Sequence, residues 1–318
     1  MLPLRQSLLG RSSRSRPVCV VGLHRVLNEG DRARSSSQPA IVLREANFAK
    51  LLEYLREEFE MLSLRAFLEN PEEATRTSKP CCLLTFDDGW IDNYTTAFPL
   101  LSKFAVPATV FLATHLVGSS EVFWVERLSK AFADEAQGPE VRRKFGHLLN
   151  LPSPDLESVI ESLKHMPAED RVGLLNRVLP APVGPENDMD RMLSWDQARI
   201  MSKAGIDFGA HSLNHPLLTY ESADAVERQV QGSKRAIEEN LRQTVSAFAY
   251  PNGDWNHQVR EAVRQLGFAC AFTTQPGWYR QGADRYTVPR VLLHDGRVVD
   301  GRGTFSTAAL AFALTGWR

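Results

Sequence analysis

The sequence predicts an α/β protein, a (β/α) barrel of about seven strands interrupted by a helical insertion. Three observations predict it. Short apolar runs of strand length alternate with amphipathic helical stripes. Polar residues able to do chemistry gather where those runs stop. The alternation breaks once, between about residues 121 and 190, and then resumes.

Taken in order, Cys19-Val20-Val21-Gly22-Leu23 is a strand that stops at His24-Arg25, and the polar stretch from Asn28 to Pro39 is expected as a loop. Phe48, Leu51, Leu52, Leu55 and Phe59 recur at helical spacing. A strand from about Cys81 runs into Asp87-Asp88-Gly89. A helical pattern over Ile91–Phe104 and a strand over Pro107–Ala113 follow, which together make a βαβ unit. Residues 121–190 carry several charged helical patterns separated by proline-rich joints, Leu151–Pro154 and Leu179–Pro182.

Ser194 and Gln197 then fit a capping box for a helix to about Ala204. Ile206–His211 is a strand. A long helix with Val226, Val230, Ile237 and Leu241 on one face leads to a strand at Ser246–Tyr250. Asn256 caps a helix that stops at Gly267. Ala269–Thr274 and Tyr286–Leu293 are expected as the last strands. The expected organisation is a basic tail over 1–17 and one catalytic domain over 18–318.

The 318 residues suffice for a large core, and 43% hydrophobic with 24% charged residues is ordinary for a globular protein. With 37 Lys plus Arg against 38 Asp plus Glu, nothing points to nucleic acid or an anionic membrane surface. Cys19, Cys81, Cys82 and Cys270 lack C-x-x-C spacing and read as buried thiols in a reducing compartment. No apolar run reaches the length of a membrane span. Residues 1–17 are rich in Arg and Ser but have no apolar signal core, so a cytoplasmic location is the default expectation.

Adjacent carboxylates at the end of a buried strand are costly unless something neutralises them. Taken alone, Asp87-Asp88-Gly89 reads as a turn. The other strand ends change that reading, for they supply His24, His211 and the loop Pro251-Asn252-Gly253. His215 follows His211 by four residues, within reach of the same point. Two histidines and a carboxylate leave open positions on a metal, the arrangement a hydrolytic site needs. The remaining histidines, apart from His294, read as surface or packing residues.

Thr85-Phe86-Asp87-Asp88-Gly89, His211-Ser212-Leu213-Asn214-His215-Pro216 and the order between them resemble the polysaccharide deacetylase family (NodB homology, carbohydrate esterase family 4). The likeness runs from Gly22 to Arg290, in a layout that places a Leu23-His24 strand end near the N-terminus. The resemblance implies metal-dependent hydrolysis of the N-acetyl amide of an amino sugar, in a polysaccharide or its precursor, on a distorted barrel. Its partner is then an N-acetylated carbohydrate. Its cofactor is one divalent metal, zinc first, with cobalt, nickel or manganese as alternatives.

Carried over by position, Asp88, His211 and His215 hold the metal and Asp87 is the base that takes a proton from the attacking water. Pro251-Asn252-Gly253 lines the oxyanion, and His24 is the acid, with His294 in Leu292-Leu293-His294 as runner-up. The family's usual arginine beside the base is absent from Ala249-Tyr250-Pro251-Asn252, and Arg290 is the candidate to replace it. Other readings remain open from sequence: hydrolysis of a different C–N amide on the same fold, and a glycan-binding pseudoenzyme. The same ligand types would also suit a non-haem iron oxygenase, whose usual scaffold is all-β.

Overall fold

Residue types at the strand boundaries fix which end of the sheet carries the chemistry. The computed structural model describes residues 17–35, 37–69, 79–179, 188–280 and 282–316. The expected basic tail, all but its last residue, and the Leu179–Pro182 joint beyond Leu179 lie outside them.

The chain opens with β1 (Val18–Leu23) and β2 (Arg25–Leu27). Where a loop was expected from Asn28 to Pro39, a short helix α1 (Glu29–Arg34) forms, because the Asn28 side chain accepts the Asp31 N–H as an N-cap. Next come β3 (Val42–Arg44), which pairs with β2, then α2 (Glu45–Glu58), β4 (Glu60–Leu62), α3 (Leu64–Glu69) and β5 (Cys81–Phe86). The helical pattern from Ile91 begins with a π turn over Asn93–Ala97 and continues as α4 (Phe98–Phe104). Pro99 has no N–H to give to Thr95, and the Phe98 N–H reaches back to Asn93.

β6 (Thr109–Leu112) precedes the insertion, which is four helices: α5 (Trp124–Ala133), α6 (Gly138–Leu148), α7 (Leu156–Lys164) and α8 (Ala168–Val178). They bury a core of their own around Leu128, Phe132, Phe145, Ile160, Leu163 and Leu175. The alternation resumes with α9 (Trp195–Lys203), whose Ser194–Gln197 capping box is formed, and β7 (Asp207–Ala210). It continues with α10 (Ala223–Leu241), β8 (Ala247–Ala249), α11 (His257–Gln265) capped by Asn256, and β9 (Cys270–Phe272). Last come β10 (Val291–Leu292), α12 (Asp295–Val298) and α13 (Thr307–Leu314).

All ladders of the main sheet are parallel, in the order β10-β1-β5-β6-β7-β8-β9, with β4 beside the start of β5. The expected strand over Tyr286–Leu293 is shorter than its apolar pattern suggested. Val288 bridges to Phe272 of β9, whereas Val291 pairs with Val21 of β1. The segment therefore changes partners at Pro289-Arg290 and touches both ends of the curled sheet. The result is a distorted (β/α) barrel.

Side-chain alternation along the strands builds two cores. Cys19, Val21, Cys82, Leu84 and Phe248 pack outward on helical residues such as Phe48, Leu52 and Val230. Val18, Val20, Cys81, Leu83, Ala249 and Phe272 close the interior around Phe67 and Phe111. All four cysteines are free and buried. Among the described residues no helix is long and apolar enough to cross a membrane.

Candidate metal centre and its base

The carboxyl ends of β5 and β7 meet at the mouth of the barrel. Asp87 continues the β5 ladder, its N–H donating to Leu23 O at 2.9 Å. The backbone then turns left-handed at Asp88 (φ 72°) and Gly89 (φ 85°). Asp tolerates that region better than most residues. At Gly89 a Cβ would also press on the Leu112 Cδ2 methyl at 2.5 Å, which adds to the preference for glycine that its φ sets. His211 follows β7 directly, and Ser212 (φ 65°) and His215 (φ 53°) are left-handed as well. Strain of this kind persists where the surrounding structure over-determines the backbone, and it clusters at functional sites.

These turns bring three side chains together. Asp88 Oδ1 lies 3.5 Å from His211 Nε2 and 3.5 Å from His215 Nε2. One ligand atom from each of the three lies within 4.8 Å of the others. The other nitrogen of His211, Nδ1, is 2.8 Å from Ala249 O, which as a donor leaves Nε2 with a free lone pair. The other oxygen of Asp88, Oδ2, accepts the Trp90 indole N–H at 3.0 Å. Asp88 Oδ1 itself is buried and has no hydrogen-bond partner. Burial, reinforced by His211, pushes the His215 imidazole down to about 3. An imidazole pair facing an orphaned carboxylate oxygen suits a divalent cation.

Asp87 is held quite differently. Its carboxylate receives a two-bond fork from Arg290, Nη1 to Oδ1 and Nη2 to Oδ2, each 2.7 Å. Arg290 is fully buried, donating also from Nε to Thr273 O at 2.9 Å and from Nη1 to Thr85 Oγ1 at 3.2 Å. Burial alone would push the Asp87 carboxyl up. The charges of Arg290 and His211, the Arg290 bonds and the charge of His24 outweigh it and hold Asp87 well below the usual carboxylate range. The cation thus comes from beside β10, not from the end of β8.

The end of β8 leads into a single helical turn, Pro251–Gly253. Pro251 has no N–H, and the Gly253 N–H is spent on Tyr250 O at 2.7 Å. Asn252, left-handed at φ 58°, is therefore the member of this expected oxyanion loop with a backbone N–H to offer. Gly253 (φ 79°) is boxed in by Thr274, whose hydroxyl donates to Asn252 O at 3.0 Å.

His24 is half-buried at the end of β1, its carbonyl accepting Asn93 Nδ2 at 2.8 Å. His294 sits at the head of α12 and lines, with Arg290, a cavity of about 640 Å³. Burial lowers His294, and Arg297 and His24 lower it further, against Asp295. Both expected acids thus lie on the Arg290 side of the site.

A family model described as polysaccharide deacetylase matches residues 74–271, more than half of the chain. The chain belongs to the polysaccharide deacetylase family.

Two curated relatives of this polysaccharide deacetylase family member are each 22% identical to it. One is YxkH, a candidate polysaccharide deacetylase of Bacillus subtilis (strain 168), aligned over 233 residues and 71% of this chain. The other is the poly-beta-1,6-N-acetyl-D-glucosamine N-deacetylase of Staphylococcus epidermidis, aligned over 250 residues and 78% of this chain. The chain spans 58% of the length of the first and 67% of the second. Among solved structures, the Streptococcus pyogenes deacetylase PplD in complex with acetate shares the fold, with a TM-score of 0.62 at 17% identity. The match covers 96% of this chain and 100% of that one.

The sequence reading missed the residues behind the ligands. Trp90, which holds Asp88 Oδ2, lies under the Arg25 guanidinium, 4.3 Å from the ring centroid. Arg25 is fully buried and pairs with Asp92 at 2.9 Å. It also donates to Met189 O and to Ser37 Oγ, and that hydroxyl in turn donates to Glu126 of α5. The orientation of the candidate ligand Asp88 is thereby tied to the insertion. The available signal was a tryptophan directly after Asp-Asp-Gly, an indole donor one residue beyond the turn.

Proposed function

We propose that this protein is a metal-dependent deacetylase that hydrolyses the N-acetyl amide of an amino sugar in a polysaccharide or its precursor. One observation carries the reading. An Asp88–His211–His215 cluster that suits a cation, its first two members buried, stands beside an ionised carboxylate, Asp87, clamped by Arg290. A divalent cation, zinc first, supplies Lewis acidity, polarising the amide carbonyl and making water easier to deprotonate.

The protein's own groups do the rest. Asp88 Oδ1 and the Nε2 atoms of the two histidines hold the cation. Each Asp87 oxygen keeps a lone pair beyond its bond to Arg290, so the carboxylate remains able to take a proton from the attacking water. Because Arg290 makes Asp87 a weak base, its worth lies in position and permanent ionisation. The Asn252 N–H donates to the developing oxyanion. His24 gives a proton to the departing amine nitrogen, without which an amine is a very poor leaving group. The intact base, its clamp and the ligand cluster favour turnover over a retired sugar-binding site.

The test is acetate release from N-acetylglucosamine oligomers by metal-loaded protein, with Asp87→Asn abolishing release while retaining bound metal. Metal-loaded protein inert on a broad panel of N-acyl sugars would overturn the proposal.

A further inference from the structure

A second cavity, of about 470 Å³, is walled partly by the helical insertion. Among its lining residues are His115, Phe123, Trp124, Arg171 and Asn214. It is one side chain away from the cation site. Asn214 immediately precedes His215, and the Phe123 ring packs edge-on against the His215 ring at 5.2 Å.

Arg171, from the first turn of α8, is only 2% exposed. Its guanidinium stands 4.9 Å from the Trp124 ring centroid, and Nη1 is buried without a hydrogen-bond partner. Among the described residues no carboxylate lies within ion-pairing distance of it. Glu221, whose charge it feels, has Oε1 occupied by the Ala168 N–H at 2.8 Å. Trp124 Nε1 is likewise buried with no acceptor. Buried guanidinium groups are ordinarily paired and buried indole N–H groups bonded, because leaving either bare is costly. Both residues line the same cavity, and their unpartnered donors lie just beneath its surface, an environment that suits acceptor oxygens carrying negative charge. The acids on the lining, Glu121 and Glu169, are exposed, and Glu121 lies 3.5 Å from His115. Neither neutralises Arg171.

We propose that this cavity binds the acidic group of an anionic sugar, a carboxylate or a phosphate ester, with Arg171 as counter-ion and the Trp124 indole N–H as second donor. As an anion site it stands by itself. As a subsite for the glycan residue next to the one deacetylated, it rests on the deacetylase reading. The insertion then contributes specificity, since α5 supplies Trp124 and α8 supplies Arg171.

Calorimetric titration of Asp87→Asn protein, used so that nothing turns over, compares three probes: N-acetylmuramic acid, N-acetylglucosamine 6-phosphate and neutral N-acetylglucosamine. At least one acidic probe is expected to bind tenfold or more tightly than the neutral one, and the preferred probe tells carboxylate from phosphate. Adding Arg171→Met is expected to level the three affinities. It should not lower the melting temperature, because an apolar side chain replaces an unpaired buried charge. If Arg171→Met does not fold, Arg171→Lys, a point charge without the fork, should weaken the acidic probe several-fold and leave the neutral one unchanged. Equal affinity for all three probes, a preference that survives Arg171→Met, or one that Arg171→Lys leaves undiminished, overturns the proposal. Failure of metal-loaded wild-type protein to release acetate from neutral and acidic N-acyl sugars alike sinks the deacetylase reading and leaves the anion site standing.

Discussion

Arg290 and Asp87 are joined by two parallel hydrogen bonds of 2.7 Å across 203 residues of sequence. A fork of this kind fixes the plane of a carboxylate as well as its charge. It also decides how the candidate base responds to mutation and pH.

Arg290→Gln removes the charge that keeps Asp87 ionised and leaves the desolvation that opposes ionisation. The acidic limb of kcat/KM against pH is expected to move to higher pH, with activity at neutral pH down by about 10²-fold or more. Breaking a buried pair from one side also costs about 3–5 kcal/mol of stability. The folded-state pKa of Asp87 is depressed, so its contribution is complete above the unfolded value of about 3.9 and is lost as pH falls through the lower folded value. Urea titrations of both proteins at pH 3 and pH 7 measure the difference. It should narrow at the lower pH.

His215 gives a second pH signature, visible in metal-free protein. Its folded pKa is pushed down to about 3 from an unfolded 6.5, so the unfolded chain binds the extra proton first. Stability is expected to fall as pH drops from about 6.5 towards 3, with a slope approaching one proton, and to flatten in His215→Gln. Unchanged slopes in the variant would show that the imidazole does not carry the effect.

Chelation should lower the melting temperature of metal-loaded protein, and re-addition of zinc should restore it, because a ligand that binds only the folded state stabilises it. Asp88→Asn is expected to erase the shift. Elemental analysis of the purified protein identifies the ion.

Trp90→Phe keeps the ring under Arg25 and deletes the N–H that holds Asp88 Oδ2. Outer-shell partners of this kind typically change metal affinity by about 10–100-fold. Competition with a chromophoric chelator should show a loss of that order, and the fall in melting temperature of metal-free protein measures the separate cost of the smaller ring and the unbonded Asp88 Oδ2.

His24→Asn and His294→Asn separate the two candidate acids. Removing a general acid typically costs about 10²–10⁴-fold. The larger loss in kcat is expected for His24. The reverse result would move the role to His294, which lines the cavity beside Arg290.

Much of this site was legible because its members are close in sequence or mark a strand end. Asp87-Asp88 terminates β5, and His211 and His215 flank one turn after β7. The alternation of apolar runs and helical stripes located the barrel, and the break in that alternation located the insertion. The pairing of Val288 with β9 and of Val291 with β1 was not legible, since an apolar run does not say which neighbour each residue takes. Nor was the spent Gly253 N–H, because a donor's availability depends on a carbonyl that only folding places beside it. The proposed division of labour between the adjacent aspartates was carried in sequence only by resemblance; packing gives the two carboxylates different surroundings. Asp87 is clamped by a guanidinium from the far end of the chain, whereas Asp88 turns one oxygen to Trp90 and leaves the other bare before two imidazoles. Residue type and spacing determined which groups are able to do chemistry. Tertiary structure decided which are neutralised, because electrostatics acts through ångströms and not through positions along the chain.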